Sequence, residues 1–255
     1  MHRAHLTTGF VLLLVVVAGC TGPASESGGP ATPTETPAET PTPTPASTLD
    51  SYPDGWSESG VEDAQAARDA HYRAVLAGPS ATIEYRSRVI ESENNTGSDT
   101  TLQMALDTET QRLLADIDGR DTHREAYFAD GRLSRWDVVN RTVVSESQTE
   151  FRLVAQSIDR GVLISHLLLY QLEQNGTVRY EGATARRYEV TGVHPNTLSN
   201  AYGAASSGEG HIVVGPNGRI LELETTVTYE RATVRYRYAH TRLGETTVSA
   251  PDWRS

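Results

Sequence analysis

Residues 215–241 read GPNGRILELETTVTYERATVRYRYAHT. The stretch divides into two alternating runs. In the first, Leu221, Leu223, Val227 and Tyr229 fall on one face, and Glu222, Glu224, Thr226 and Thr228 on the other. In the second, Ala232, Val234, Tyr236, Tyr238 and His240 alternate with Thr233, Arg235, Arg237 and Thr241. A period of two marks a half-buried strand. A turn at Glu230-Arg231 sets Val227 opposite Val234, Leu223 opposite Tyr238 and, on the polar face, Glu224 opposite Arg237. Both faces match across the pair, and a slip of one residue would reverse every side chain, so the register is fixed. Pro216-Asn217-Gly218 turns the preceding strand, His211–Val214, into the same antiparallel meander.

Upstream the pattern changes twice. Ser59 to Leu76 reads as a helix: Ser59-Gly60-Val61-Glu62 has capping-box spacing, Val61, Ala64, Ala67, His71 and Val75 recur at helical spacing, and Gly78-Pro79 ends it. Strands follow. Ala81, Ile83, Tyr85 and Val89 alternate with polar residues, Asn94 to Ser98 supplies a turn, Leu102, Met104 and Leu106 form a second run, and Leu113, Ala115 and Ile117 a third. Asp130-Gly131 joins Glu125–Ala129 to Arg132–Val138 as a hairpin. Phe151 to Leu172 is an apolar helical segment, nearly apolar all round over Val162–Tyr170, that Gly161 divides or leaves whole. A helix of that kind needs cover on several sides. A short hairpin near Val178–Val190 leads into the meander. Strands in antiparallel order with helices between them predict an α+β domain from residue 50 to 255.

The chain has 255 residues, 33 Asp+Glu and 22 Lys+Arg, for a net charge of −11. All 22 cations are Arg. The acidic balance excludes nucleic acid as a partner, because phosphate binding needs clustered cations. A mean hydropathy of −0.43 with one short apolar run excludes a polytopic membrane protein. The single Cys excludes a disulfide framework and a Cys-based zinc site.

That Cys closes the opening segment, MHRAHLTTGFVLLLVVVAGC. Arg3 and the amine give a positive start, and Phe10 to Ala18 an apolar core too short to span a bilayer, which makes residues 1–19 a signal peptide. Val17-Ala18-Gly19-Cys20 resembles the lipobox of secreted lipoproteins, with Cys20 as the lipid attachment site and the membrane as partner. The alternative is an ordinary secretory signal that contains a Cys. Residues 20–49 then carry a Thr/Pro/Glu-rich stalk, since seven of the 12 prolines lie between Thr21 and Asp50. Such composition buries no core and favours extended backbone, roughly 90 Å over about 29 residues. Sequons at Asn94, Asn140 and Asn175 are candidate N-glycosylation sites on an extracellular surface. Absent Lys with abundant acid resembles haloarchaeal proteins, whose charges are screened within about 3 Å in strong brine.

With the lipobox, the element order and the G-R-I-L-E-L-E strand after P-N-G on the page, the region from about residue 50 resembles the haloarchaeal lipoproteins of unknown function. More distantly it is similar to LolA, LppX and LprG type lipoprotein carriers. The resemblance implies a curved antiparallel β-sheet, a half-barrel, with helices packed on one face around a lipid-sized cavity. It implies a cell-surface lipoprotein that binds an apolar ligand such as a lipid, held on the extracellular face of the membrane. Candidate cavity-lining residues are Ile83, Tyr85, Leu102, Met104, Leu106, His166, Leu221, Leu223, Val227, Tyr236 and Tyr238, with Tyr85, Tyr236, Tyr238 and His166 as the polar groups. The other reading of these residues is a filled core, which would make the domain an interaction module for an envelope protein.

Catalytic patterns are missing. His71, His123, His166, His194, His211 and His240 show neither H-x-x-x-H nor H-x-H spacing, so no metal is expected of them. A calcium site from loop carboxylates stays open, without an EF-hand loop. No G-x-S-x-G elbow occurs, and Gly208-Glu209-Gly210 lacks the third glycine and following helix of a dinucleotide loop. The expectation is no enzyme and no cofactor.

Overall fold

The computed structural model describes residues 49, 51–92, 99–194 and 202–254. The signal peptide, Cys20, the stalk and the Asn94 sequon with its turn lie outside the described residues. The described chain falls in one compact unit, Pro45–Ser255.

The first elements differ from expectation. Trp56–Ser57 (β1) and Gly60–Val61 (β2) pair as a small hairpin, and the helix α1 runs from Ala64 to Leu76. Asp63, not Ser59, caps it: its carboxylate accepts from the amides of Gln65 (2.9 Å) and Ala66 (3.0 Å). A carboxylate that takes two free amides of the first turn outcompetes a serine four residues earlier.

Six strands follow as a meander: Ala81–Ser92 (β3), Thr100–Asp107 (β4), Arg112–Gly119 (β5), Thr122–Ala129 (β6), Arg132–Asp137 (β7) and Thr142–Gln148 (β8). The Asp130-Gly131 turn has both residues at positive φ, 51° and 73°, which is the hairpin geometry its sequence demands. The helix α2 spans Phe151–Leu169 without division at Gly161. It is followed at once by Tyr170–Tyr180 (β9), Ala183–Val193 (β10), Ala205–Val214 (β11), Ile220–Tyr229 (β12) and Ala232–Thr241 (β13). Leu172 therefore belongs to a strand. No helix among the described residues is long and apolar enough to cross a membrane.

All strands from β3 onward join one open antiparallel sheet of eleven, in the order β8-β7-β6-β5-β4-β3-β13-β12-β11-β10-β9. Its centre is the pair read from sequence, with Val227 opposite Val234, Leu223 opposite Tyr238 and Glu224 opposite Arg237. Both helices lie on the face that carries Ile83, Met104, Leu223 and Tyr238. One apolar core on that face reaches from Leu133 on β7 to Tyr188 on β10. Eight strand spacings of about 4.8 Å would put those strands roughly 38 Å apart in a flat sheet. Two helices of about 10 Å each cover half of that. The sheet therefore curls around them, in the sense its right-handed twist favours.

The opposite, outer face carries a smaller cluster of Ala185, Val213 and Leu221. Leu221 corrects the sequence reading, which put it beside Leu223. A bulge between Val213 and Val214 shifts the pairing with β12, so Ile220 turns inward and Leu221 outward. The C-terminal segment also crosses the outer face. Thr246 meets Thr82 (3.0 Å), Trp253 stacks on Trp136 (5.6 Å between centroids, 3° between planes) and donates to Glu125, and Arg254 pairs with Glu146.

Candidate functional site

The helix-bearing face gathers its polar groups into two clusters. In the first, α2 presents His166 to the sheet. His166 Nδ1 lies 2.9 Å from the Tyr170 hydroxyl, which lies 2.6 Å from Thr225 Oγ1. The His166 ring meets Tyr236 edge-on at 4.7 Å and sits 6.3 Å from Tyr85. Tyr229 and Tyr236 share a hydrogen bond of 3.0 Å. Burial pushes His166 down to about 4 and Tyr85 up to about 12, and raises Tyr170 and Tyr236 well above the usual phenol. At neutral pH the cluster is uncharged. A neutral, low-pKa imidazole among protonated phenols can position a polar group but is a poor general base.

The second cluster ties α1 to β12 and β13. The Ile220 amide donates to His71 Nδ1 (3.0 Å), which leaves the proton on Nε2 to face the Tyr238 oxygen (3.3 Å); Tyr238 in turn donates to His240 Nε2 (2.7 Å). Burial, with the Arg219 cation as a further cause, holds His240 well below the usual imidazole. The buried Arg219 donates to the carbonyls of Ala74 (2.6 Å) and Val75 (3.2 Å), closing the C-terminal end of α1. Tyr238 and His166, read together from sequence as polar groups of one site, thus belong to separate clusters.

The remaining candidate lining residues Ile83, Leu102, Met104, Leu106, Leu223 and Val227 are buried in the one core, with Tyr85 partly buried against it. Leu221 is not among them. A surface groove borders the core. Between the C-terminus of α1 and the N-terminus of α2 lies a groove of about 430 Å³, with Leu76, Phe128 and Phe151 as its apolar lining and Thr108, Thr149 and Arg152 at its sides. Phe128 and Phe151 pack at 5.8 Å and both belong to the core, so the groove leads onto the helix-bearing face. Asn140 and Asn175 are exposed, and Asn140 bonds Asp137 through both its amides. No group of three His, Cys, Asp or Glu that could hold a metal occurs among the described residues.

Several polar residues of this face escaped the sequence. Tyr170 and Thr225 were hidden because one lies at a helix-to-strand junction and the other among strand threonines. Arg186 and Arg219 carry no signal of burial, since arginine in a strand or turn ordinarily marks solvent.

An open antiparallel sheet of eleven strands with two helices on one face, and a groove between the helix ends beside the apolar core, defines the class: an α+β domain. The chain belongs to the family of unknown function DUF7537, whose model matches residues 5–255. No curated protein matches the sequence. Among solved structures it is similar to LprF from Mycobacterium bovis (10% identity, 76% of this chain and 98% of that one, TM-score 0.39). It is also similar to the lipoprotein LppX of Mycobacterium tuberculosis (11%, 73% and 98%, 0.32) and to a LolA superfamily protein from Nitrosomonas europaea (10%, 74% and 95%, 0.28).

Proposed function

We propose that the domain is a non-enzymatic binder of an apolar ligand such as a lipid, taken up through the groove between Leu76 and Phe151. The groove carries the reading: its lining is continuous with the core, and its volume is within the range of about 300–1,000 Å³ typical of small-ligand sites. The hydroxyls and imidazole around His166 supply neutral hydrogen-bonding groups for a ligand that reaches that far. The candidate residues Ile83, Tyr85, Leu102, Met104, Leu106, Leu223, Val227 and Tyr236 form the wall against which it would lie.

Native mass spectrometry and organic extraction of the full chain test this. A lipid at near one-to-one stoichiometry is the expected result. Thr149→Trp, which fills the groove from its side, should lower ligand content at least tenfold and change urea stability by less than about 1 kcal/mol, the usual range for substitutions away from the core being smaller still. Ligand-free wild-type protein would favour the other reading, an interaction module. A specific feature supports that one too: the edge strand β8 and the turn before it expose Val139, Val143 and Val144.

In this proposal the domain stands on the extracellular face, tethered by lipid on Cys20 through the residue 20–49 stalk, glycosylated at Asn94, Asn140 or Asn175 and adapted to high salt. Stable anchoring usually takes two acyl or prenyl chains, so Cys20 would carry more than one. Cys20→Ser should move the protein from the membrane fraction to the medium; retention in the membrane fraction would remove the anchor from the reading.

A further inference from the structure

The strand β10 carries two consecutive arginines with opposite fates. Arg187 points outward and pairs with Glu189 at 2.6 Å. Arg186 points inward, beside the fully buried Val214 and Ile220, and is itself only 3% exposed. Its Nη2 donates to the carbonyls of Leu49 and Ser51 (2.9 Å to the latter), and its guanidinium carbon lies 4.5 Å from the centre of the Tyr52 ring. No carboxylate among the described residues meets it, and its Nη1 is buried with no hydrogen-bond partner.

A buried cation without counter-charge is costly in a protein interior. The comparison with Arg219 is instructive. That side chain is equally buried, but it sits on the C-terminal carbonyls of α1, where the helix dipole supplies negative charge. Arg186 has two isolated carbonyls and an aromatic face, neither of which neutralises a full charge.

Two more donors are in the same condition. Tyr188, two residues along the same face of β10, is fully buried and its hydroxyl has no partner. Trp56, 4% exposed, packs with its ring centroid 4.9 Å from that of Tyr188, and its indole N–H has no partner either. Burial raises the Tyr188 hydroxyl while the Arg186 charge pulls it down, so the two groups feel one another. Gln174, opposite Tyr188 in register, adds an unpartnered amide oxygen, and rotation of the amide exchanges that oxygen for an N–H donor. Among the described residues the set is one permanent cation, an indole N–H, a hydroxyl and an amide, with no acid and no free base. That is the donor pattern of an anion site, and a single cation matches a single negative charge.

We propose that Arg186, Tyr188 and Trp56 form a buried site for one small monovalent anion, a halide or a carboxylate group. The anion neutralises Arg186 and so completes its hold on the backbone at Leu49 and Ser51, where the chain enters the domain.

Bromide is the probe, titrated into the full chain at constant ionic strength against sulfate, with tryptophan fluorescence as the readout. Trp136 and Trp253 lie on the outer face and give a linear background; bromide bound beside the buried Trp56 gives a saturable component. Tyr188→Phe, which removes one hydroxyl and keeps the ring, should weaken that saturation at least tenfold, and Arg186→Met should abolish it. Formate that displaces bromide assigns the carboxylate, and formate that does not assigns the halide. Should Arg186→Met fail to fold, a crystal grown in bromide decides: an anomalous peak within hydrogen-bond reach of Arg186 Nη1 and the Tyr188 hydroxyl carries the proposal, and its absence overturns it. Strictly linear quenching, the same in wild type and Tyr188→Phe, overturns it as well.

Discussion

Replacing Gly210 with alanine is expected to lower folding stability by roughly 2–6 kcal/mol, enough to unfold a large share of the protein at moderate temperature. Two costs add. Gly210 sits at φ +122°, where an L side chain is strained by about 1–3 kcal/mol. A Cβ there would also lie 2.1 Å from the Glu224 carbonyl oxygen and 2.7 Å from the Thr225 Cα, both backbone atoms of the neighbouring β12. Relieving the clash means parting β11 from β12 at the Gly210–Thr225 pair, and overpacking of this kind adds about 1–3 kcal/mol. Two other glycines calibrate the result. At Gly182 the φ is +84° but a Cβ meets open space, so Gly182→Ala should show the backbone cost alone. At Gly208 the nearest atom is Cγ1 of Val193, a side chain that can shift, so Gly208→Ala should be milder than Gly210→Ala. Urea unfolding of the three variants gives the order. A Gly210→Ala loss no larger than that of Gly182→Ala would show that the strands do not approach as closely as described. The functional consequence follows from Thr225, whose hydroxyl holds Tyr170 and through it His166. Moving that strand disturbs the polar cluster before it disturbs the groove.

The centre of the sheet was legible because both faces of residues 221–240 obey the same register. An apolar match such as Val227–Val234 and a charge match such as Glu224–Arg237 are independent constraints that agree. Leu221 was misplaced for a reason no alternation reveals: a bulge adds a residue to one strand and reverses the parity beyond it. The edge strand β8, TVVSESQ, passed unread because a strand with solvent on most sides shows no clean alternation; six of its seven residues are exposed. The start of α1 was placed too early because Ser59 and Asp63 both offer caps, and which one closes the helix depends on the β1–β2 hairpin. The candidate site was legible in part. The apolar wall follows from strand periodicity and His166 from its position in an apolar helix. Its partners Tyr170 and Thr225 come from a strand end and from across the sheet, so their meeting is a property of the fold.

His166 and His240 make stability fall steeply as the pH drops from 6.5 toward 4. His166 in the folded protein releases its proton at about 4, because burial disfavours the imidazolium. The groups facing it are Tyr85, Tyr170 and Tyr236, phenols that stay neutral throughout this range and offer no negative charge. In the unfolded chain a histidine titrates near 6.5. Above pH 6.5 neither state binds the proton and the full stability is present. Between 6.5 and 4 only the unfolded chain binds it, so each unit of pH removes up to about 1.4 kcal/mol, or roughly 3 kcal/mol for His166 over the window. His240 is displaced in the same direction, by burial first and the Arg219 cation beside it, and steepens the fall. The carboxylates held low by hydrogen bonds, Asp107, Asp137, Glu146 and Glu222, also lose their contribution on acidification, but only below the ordinary carboxylate values near 4. The interval from pH 6.5 to 5 therefore isolates the histidines. Urea unfolding at pH 7.5, 6.5, 5.5 and 5.0 should show a plateau followed by a loss of up to about 2 kcal/mol from His166 by pH 5, with His240 adding to it. His166→Gln, which keeps a donor and acceptor for Tyr170 and cannot be protonated, should remove about half of that slope. An unchanged slope in the variant, or a flat profile down to pH 5, would mean that the imidazole reaches water in the native state. In that case the helix-bearing face is far more open around α2 than the closed packing of His166 against Tyr236 describes.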